Sequence, residues 1–215
     1  MTPALKNLLD AIGSKEAPKG YGQIYGGAKG VGFPDVSKMT LKDVRALQDR
    51  MVKNGSASSA CGRYQFIRKT LAATILEMGL KDSDVWTPDL QDRMAVHLME
   101  KRKLGAYMAG TISRETFANN LAMEWASLPV VTAIRGAHRQ LAPGQSYYAG
   151  DGLNKAHHAP AAILALVDAL KTDTHPPPDI EPVVPATPSY KPSIQMVMSV
   201  LLGLAAAIAA YFMKG

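Results

Sequence analysis

Glu16 stands where an apolar-periodic segment runs into Ala17-Pro18 and then a glycine-rich stretch. Proline stops a helix at that point, so the carboxyl group is expected at a helix C-terminus. There it meets the negative end of the helix dipole, and apolar shielding would further disfavour an anion. A general acid for glycosidic cleavage needs a carboxyl group that carries its proton. Lys15 and Lys19 oppose this unless they point to solvent. On position alone, an ordinary exposed helix-end glutamate remains the alternative.

The residues around Glu16 suit a polysaccharide. Gly20-Tyr21-Gly22-Gln23-Ile24-Tyr25-Gly26-Gly27, Gly62-Arg63-Tyr64-Gln65 and Gly144-Gln145-Ser146-Tyr147-Tyr148-Ala149-Gly150 are all aromatic segments flanked by glycine. Tyr21, Tyr25, Tyr64, Tyr147 and Tyr148, out of eight tyrosines, therefore fall on expected loops. A flat ring packs on sugar C–H faces while Gln, Arg and Ser bond hydroxyls, so together they predict a ligand groove. The alternative is that Tyr21, Tyr25 and Tyr64 are partly buried loop anchors.

Helices must position these loops. Leu5, Leu8, Leu9 and Ile12 fall at i, i+3, i+4 and i+7 behind Thr2 as N-cap and Pro3 at the first helical position. Thr40-Leu41-Lys42-Asp43 resembles a capping box and opens a run with Leu41, Val44, Leu47 and Met51 on one face. Further helices are expected from Ile67 to Met78, from Thr87-Pro88 to about Lys103, from Arg114 to about Ala126, and from Ala161 to Leu170. The glycines between residues 20 and 34 exclude a helix and predict a short Gly/Tyr-rich β-hairpin beside the cleft. The expected fold is mostly α, about six helices with that hairpin.

Composition sets the remaining limits. The chain has 215 residues with 47% hydrophobic and 20% charged, which excludes a wholly disordered or collagen-like protein. Lys and Arg number 24 against 18 Asp and Glu, a net charge of +6 that favours an anionic partner: nucleic acid, anionic lipid or an acidic wall polymer. No helix-turn-helix, RRM-like or zinc-finger pattern accompanies the charge, so nucleic acid is not the expected partner. One cysteine, Cys61, excludes an intramolecular disulfide and reads as a small buried residue. Neither HExxH nor CxxC spacing is present, and His157-His158 has no partner at ligand spacing, so no metal and no cofactor are expected.

The chain divides into residues 1–172 as a globular domain, 173–193 as a proline-rich linker and 194–213 as a transmembrane helix. The linker carries Pro176, Pro177, Pro178, Pro182, Pro185, Pro188 and Pro192, which predict an extended polyproline-type spacer. Ile194 to Met213 contains no charged residue and is bracketed by Lys191 and Lys214. As a helix it would be roughly 30 Å long, enough to cross the hydrocarbon core, a buried or oligomerising helix being the alternative. The amino terminus shows no signal-peptide pattern, since Lys6, Asn7 and Asp10 interrupt any apolar run.

Taken in order, Glu16, the 20–27 segment, Ser59-Ala60-Cys61-Gly62-Arg63-Tyr64-Gln65-Phe66, Met78-Gly79-Leu80-Lys81-Asp82, Leu90-Gln91-Asp92 and Glu124-Trp125-Ala126-Ser127-Leu128-Pro129 resemble the endolysins of lambda-like bacteriophages, lysozyme-fold lytic transglycosylases. The similarity spans about residues 3–158. It implies a lysozyme-like α+β fold, with Glu16 matching the catalytic glutamate and Gly62 with Gln65 matching the Gly-x-x-Gln element of the substrate groove. Trp125 and Ser127 fall in the Trp-Ala-Ser-Leu-Pro segment, which implies groove wall and packing. The chain departs from the pattern at Ala17, where the family has Gly, and at Gly22, where it has Asp.

The resemblance implies cleavage of the β-1,4 bond between N-acetylmuramic acid and N-acetylglucosamine in peptidoglycan by one acid, giving a 1,6-anhydro sugar. A hydrolytic muramidase ordinarily uses two carboxyl groups, and Asp35 remains near the lost position 22. A non-catalytic wall-binding module or a structural virion membrane protein are the further alternatives. With the apolar tail, the expectation is an enzyme held in a virion membrane or the host inner membrane, acting on the periplasmic wall with virion or lysis proteins as partners.

Overall fold

The structure is a computed structural model that describes residues 1–173. The expected linker and the apolar run from Ile194 to Met213 lie outside the described residues. Among the described residues, no helix is long and apolar enough to cross a membrane.

The first helix, α1 (Pro3–Glu16), begins as its sequence indicates, with the Thr2 side chain accepting the Leu5 N–H at 3.3 Å. Its apolar stripe of Leu8, Leu9 and Ile12 is essentially fully buried. Each such side chain contributes about 1.5–3 kcal/mol over its exposed state. The start of α1 is tied to the far end of the domain, the Ala4 N–H donating to Asp173 Oδ2 at 2.8 Å.

Next come a short 3-10 helix (Val36–Lys38) capped by Asp35, α2 (Leu41–Lys53), α3 (Arg68–Glu77) and α4 (Pro88–Lys101). Thr40 and Thr87 cap α2 and α4, accepting the N–H groups of Asp43 and Leu90. The expected helix through Lys103 stops early because Lys103 adopts a left-handed conformation, φ 77°. There the chain restarts as α5 (Leu104–Met108), which makes seven α-helices among the described residues rather than about six. Then follow α6 (Arg114–Ala122), the strands β1 (Ile134–Arg135) and β2 (Gln140–Leu141), and α7 (Pro160–Thr172). The two strands pair antiparallel in the register Ile134 with Leu141 and Arg135 with Gln140. Helix α7 packs against both α1 and α6.

The expected Gly/Tyr-rich hairpin is not formed. The sheet lies instead at β1 and β2, while the 20–34 segment is a series of turns touching the rest by single bridges. Ile24 bridges Cys61, and Cys61 in turn bridges Phe66. The Tyr25 N–H donates to Ala60 O at 2.8 Å and the Gly62 N–H to Gln23 O at 2.7 Å. Positive φ at Gly20, Gly30 and Gly32 breaks the extended run too often for it to pair with itself. Cys61 is buried, as its type suggests, and burial pushes its thiol up to about 12.

Candidate active site

Glu16 is the last residue of α1, and the buried Ala17 closes the helix by donating its N–H to Gly13 O at 3.0 Å. The carboxyl group is gripped from across the domain, Oε1 accepting the Ser127 N–H at 3.0 Å. Ser127 belongs to the turn after α6, where the Leu128 N–H returns to Trp125 O at 3.0 Å. Helix termination and a distant backbone donor thus place one carboxyl group on the wall of an open groove of about 920 Å³.

Tyr25, Tyr64, Gln65, Trp125 and Tyr148 line this same groove with Glu16. Trp125 is 2% exposed, so it supports the wall more than it offers a face. Gln65 takes φ 47° and donates Nε2 to Gly62 O at 2.8 Å, closing the turn beneath the groove. Position 62 tolerates only glycine: φ is 76° and a Cβ would meet Gln91 Oε1 at 2.6 Å.

Tyr21, Ser127 and Tyr147 do not line the groove. The Tyr21 hydroxyl donates to Asp92 Oδ1 at 2.8 Å, its ring meets Tyr64 edge-on at 6.4 Å, and the Arg63 guanidinium lies 5.1 Å from its centre. Burial, followed by the Asp92 hydrogen bond, raises its phenol above the ordinary range. Tyr64, also 2% exposed, donates to the same Asp92 oxygen at 2.6 Å, and burial with that carboxylate pushes its phenol up strongly. Tyr64 therefore forms floor, with its hydroxyl committed to the protein. Tyr147 packs edge-on against Tyr148 at 5.2 Å. Ser127 is 4% exposed, and its Oγ is buried without a hydrogen-bond partner.

Asp35 also lies outside the groove lining. It caps the 3-10 helix, accepting the Ser37 hydroxyl at 2.6 Å and N–H at 3.1 Å, and pairs with Lys38 at 3.3 Å. The Ser37 hydroxyl is the main reason its carboxyl is held below the ordinary value. A Cβ at position 22 would collide with the Asp35 carboxylate, so Asp35 fills the space a side chain at 22 would need.

The groove holds a second carboxylate that sequence reasoning did not single out. Glu124, 15% exposed, accepts Arg102 Nε at 2.9 Å. Its only signal was its place beside the Trp-Ala-Ser-Leu-Pro run. Lys69 and Lys101 add positive charge to the lining, Lys101 being paired with Glu77 at 2.7 Å. Among the described residues, no cluster of three His, Cys, Asp or Glu side chains could hold a metal ion.

A helical domain thus carries an open groove with aromatic and basic side chains on its walls and a carboxyl group held at a helix end. The endolysin family model matches residues 9–152, about two thirds of the chain, and the chain belongs to that family. No curated protein and no solved structure matches it. Membership of this family makes the chain a phage-type enzyme that degrades peptidoglycan, the polymer of the bacterial cell wall.

Proposed function

We propose that the chain is a lytic transglycosylase in which Glu16 performs both proton transfers. The observation that carries this reading is the state of the two carboxyl groups in the groove. Glu124 is committed to Arg102, whereas Glu16 holds a single backbone hydrogen bond on Oε1. A hydrolase needs a second carboxylate for water, placed across the scissile bond. Asp35 is engaged elsewhere as a cap. With one acid at work, Glu16 protonates the oxygen of the bond between N-acetylmuramic acid and N-acetylglucosamine as it breaks. It then accepts the proton of the muramyl C6 hydroxyl while that oxygen attacks C1. The product is a 1,6-anhydromuramyl end. Tyr25, Gln65, Trp125 and Tyr148 are proposed to contact or shape the glycan, with Ser127 holding the acid and Tyr21, Tyr64 and Tyr147 supporting the walls.

Mass spectrometry of fragments released from purified peptidoglycan by the full-length chain tests the reaction. Anhydromuramyl ends are expected, and reducing ends would refute transglycosylation. Glu16→Gln keeps an oxygen for the Ser127 N–H but cannot transfer a proton, so activity should fall about 100- to 10,000-fold with the melting temperature unchanged. Retention of about a tenth of activity would remove Glu16 from the chemistry.

The domain division at 172 and 193, and a membrane anchor formed by Ile194 to Met213, complete the proposal. They describe an enzyme held in a virion or host inner membrane, with virion or lysis proteins as partners and the periplasmic wall as target. Length and freedom from charge support the anchor. Flotation with lipid vesicles of the full-length chain, against a version ending at Tyr190, tests it; equal distribution would refute it.

A further inference from the structure

The segment that grips Glu16 is an irregular turn, residues 123–127, and three of its carbonyls and the Glu124 carboxylate accept hydrogen bonds from other elements. Arg102 Nη2 donates to Met123 O at 3.2 Å, and the Tyr148 hydroxyl donates to the same oxygen at 2.6 Å. Arg102 Nε donates to Glu124 Oε2 at 2.9 Å. Ser146 Oγ reaches Ala126 O at 2.9 Å, and the His157 N–H reaches Ser127 O at 2.8 Å. The Met123, Glu124 and Trp125 N–H groups bond back to α6, and the Ser127 N–H reaches Glu16 Oε1. Asn120 Nδ2 further ties the end of α6 to Arg102 O at 3.3 Å.

We propose that Arg102 and Glu124 form a positioning pair for Glu16, fixing the 123–127 turn so that the Ser127 N–H meets the acid. This rests on Glu16 being the proton-transfer group. A carboxyl group on a glutamate has three rotatable bonds, and a single N–H can orient it only if the peptide plane carrying that N–H is itself held. Ser146 Oγ holds that plane directly through Ala126 O, and the Glu124 and Trp125 N–H groups bond back to Leu121 O, which leaves the Met123 end of the turn to be anchored from outside. Arg102 supplies that anchor by bonding the first carbonyl of the turn and the next side chain together, a two-point fork that lysine cannot reproduce. The pair is 33% and 15% exposed at its two side chains, enough burial for it to persist where an exposed pair would not. Tyr148 closes the arrangement: its hydroxyl shares Met123 O with Arg102, and burial, then the neighbouring Glu124, raises its phenol above the ordinary range. Glu124 accordingly acts without exchanging a proton. Its role is to hold Arg102, and Arg102 holds the turn.

The test compares kcat, KM and product type for the full-length chain and its Arg102→Met, Arg102→Lys and Glu124→Gln variants on soluble, uncross-linked peptidoglycan strands. Misplacing a reacting group by about 1 Å costs on the order of 100-fold. Arg102→Met should lower kcat about 10- to 100-fold, a larger factor than any rise in KM from the lost groove charge. Arg102→Lys should recover part of that loss, and Glu124→Gln, which leaves an oxygen for Arg102, should cost less than Arg102→Met. The nature of the released ends should be the same throughout. If Arg102→Met fails to fold, the other two variants carry the comparison.

An unchanged kcat in Arg102→Met, or in both remaining variants, would overturn the proposal. So would a rise in KM with kcat retained, which would make the pair a glycan contact. Loss of all cleavage in Glu124→Gln beside an active Arg102→Lys would also overturn it, since Glu124 would then transfer a proton. Reducing ends from the unaltered chain would refute transglycosylation alone, leaving the role of the pair to be read from kcat. A fully active Glu16→Gln would refute both.

Discussion

Replacing Tyr64 with phenylalanine asks whether that tyrosine is floor or ligand contact. The ring is 2% exposed, so Tyr64→Phe keeps its packing and removes only the hydroxyl. That hydroxyl donates to Asp92 Oδ1 at 2.6 Å, a short bond to a carboxylate. Such bonds contribute about 1.5–3 kcal/mol. Asp92 keeps the Tyr21 hydroxyl at 2.8 Å after the change and is not left bare, which places the loss nearer the lower end, about 1.5–2 kcal/mol. For a domain of this size, each kcal/mol moves the melting temperature by about 2–4 °C, so a drop of about 3–8 °C is expected. Tyr21→Phe alone should cost less. The double variant should lose more than the two singles added together, because Asp92 then has neither phenol. Calorimetry of the full-length chain gives the temperatures, and release of soluble fragments across a range of peptidoglycan concentrations gives kcat and KM per folded molecule. A clear fall in melting temperature with KM nearly unchanged is expected. A shift under about 1 °C together with a several-fold rise in KM would refute it and make Tyr64 a glycan contact.

Gly62→Ala places a Cβ 2.6 Å from Gln91 Oε1 and 2.7 Å from the Trp86 ring at φ 76°. Strain and overpacking together should cost about 2–4 kcal/mol, measured as a lower denaturation midpoint, and an unchanged midpoint would refute the steric argument. The His158 ring is held below its ordinary value by burial, while its Nε2 lies 3.2 Å from Ala11 O. The folded chain then binds fewer protons there than the unfolded chain, so the contribution to stability is full above about pH 6.5 and is lost as pH falls through the lowered value. Melting scans between about pH 7.5 and 5 should show the unaltered chain losing more stability than His158→Gln, and parallel curves would refute this assignment.

Much of the scaffold was legible because helices are written locally. The spacing of Leu5, Leu8, Leu9 and Ile12 and the caps at Thr2, Thr40 and Thr87 involve residues within one or two turns of each other, and each appears where those residues indicate. The end of α1 at Glu16 was legible for the same reason, from Pro18. The hairpin expected in the 20–34 segment failed because glycine content excludes a helix without naming a partner for the chain. The partner proved to be the 60–66 segment, and the two-residue strands β1 and β2 are too short to leave a periodic trace.

The groove divides along the same line. Sequence by itself determined most of the helices, the position of a carboxyl group at a helix end and the loops carrying tyrosine, since these follow from spacing and from stereochemistry at proline and glycine. Only the tertiary structure decided which groups meet. It brought the Ser127 N–H to Glu16 across 111 residues, joined Tyr21 and Tyr64 on Asp92, and set Glu124 with Arg102 in the groove while Asp35 became a cap. A side chain's partner depends on how the helices pack around one core, and that packing is a property of the whole chain that no short segment records.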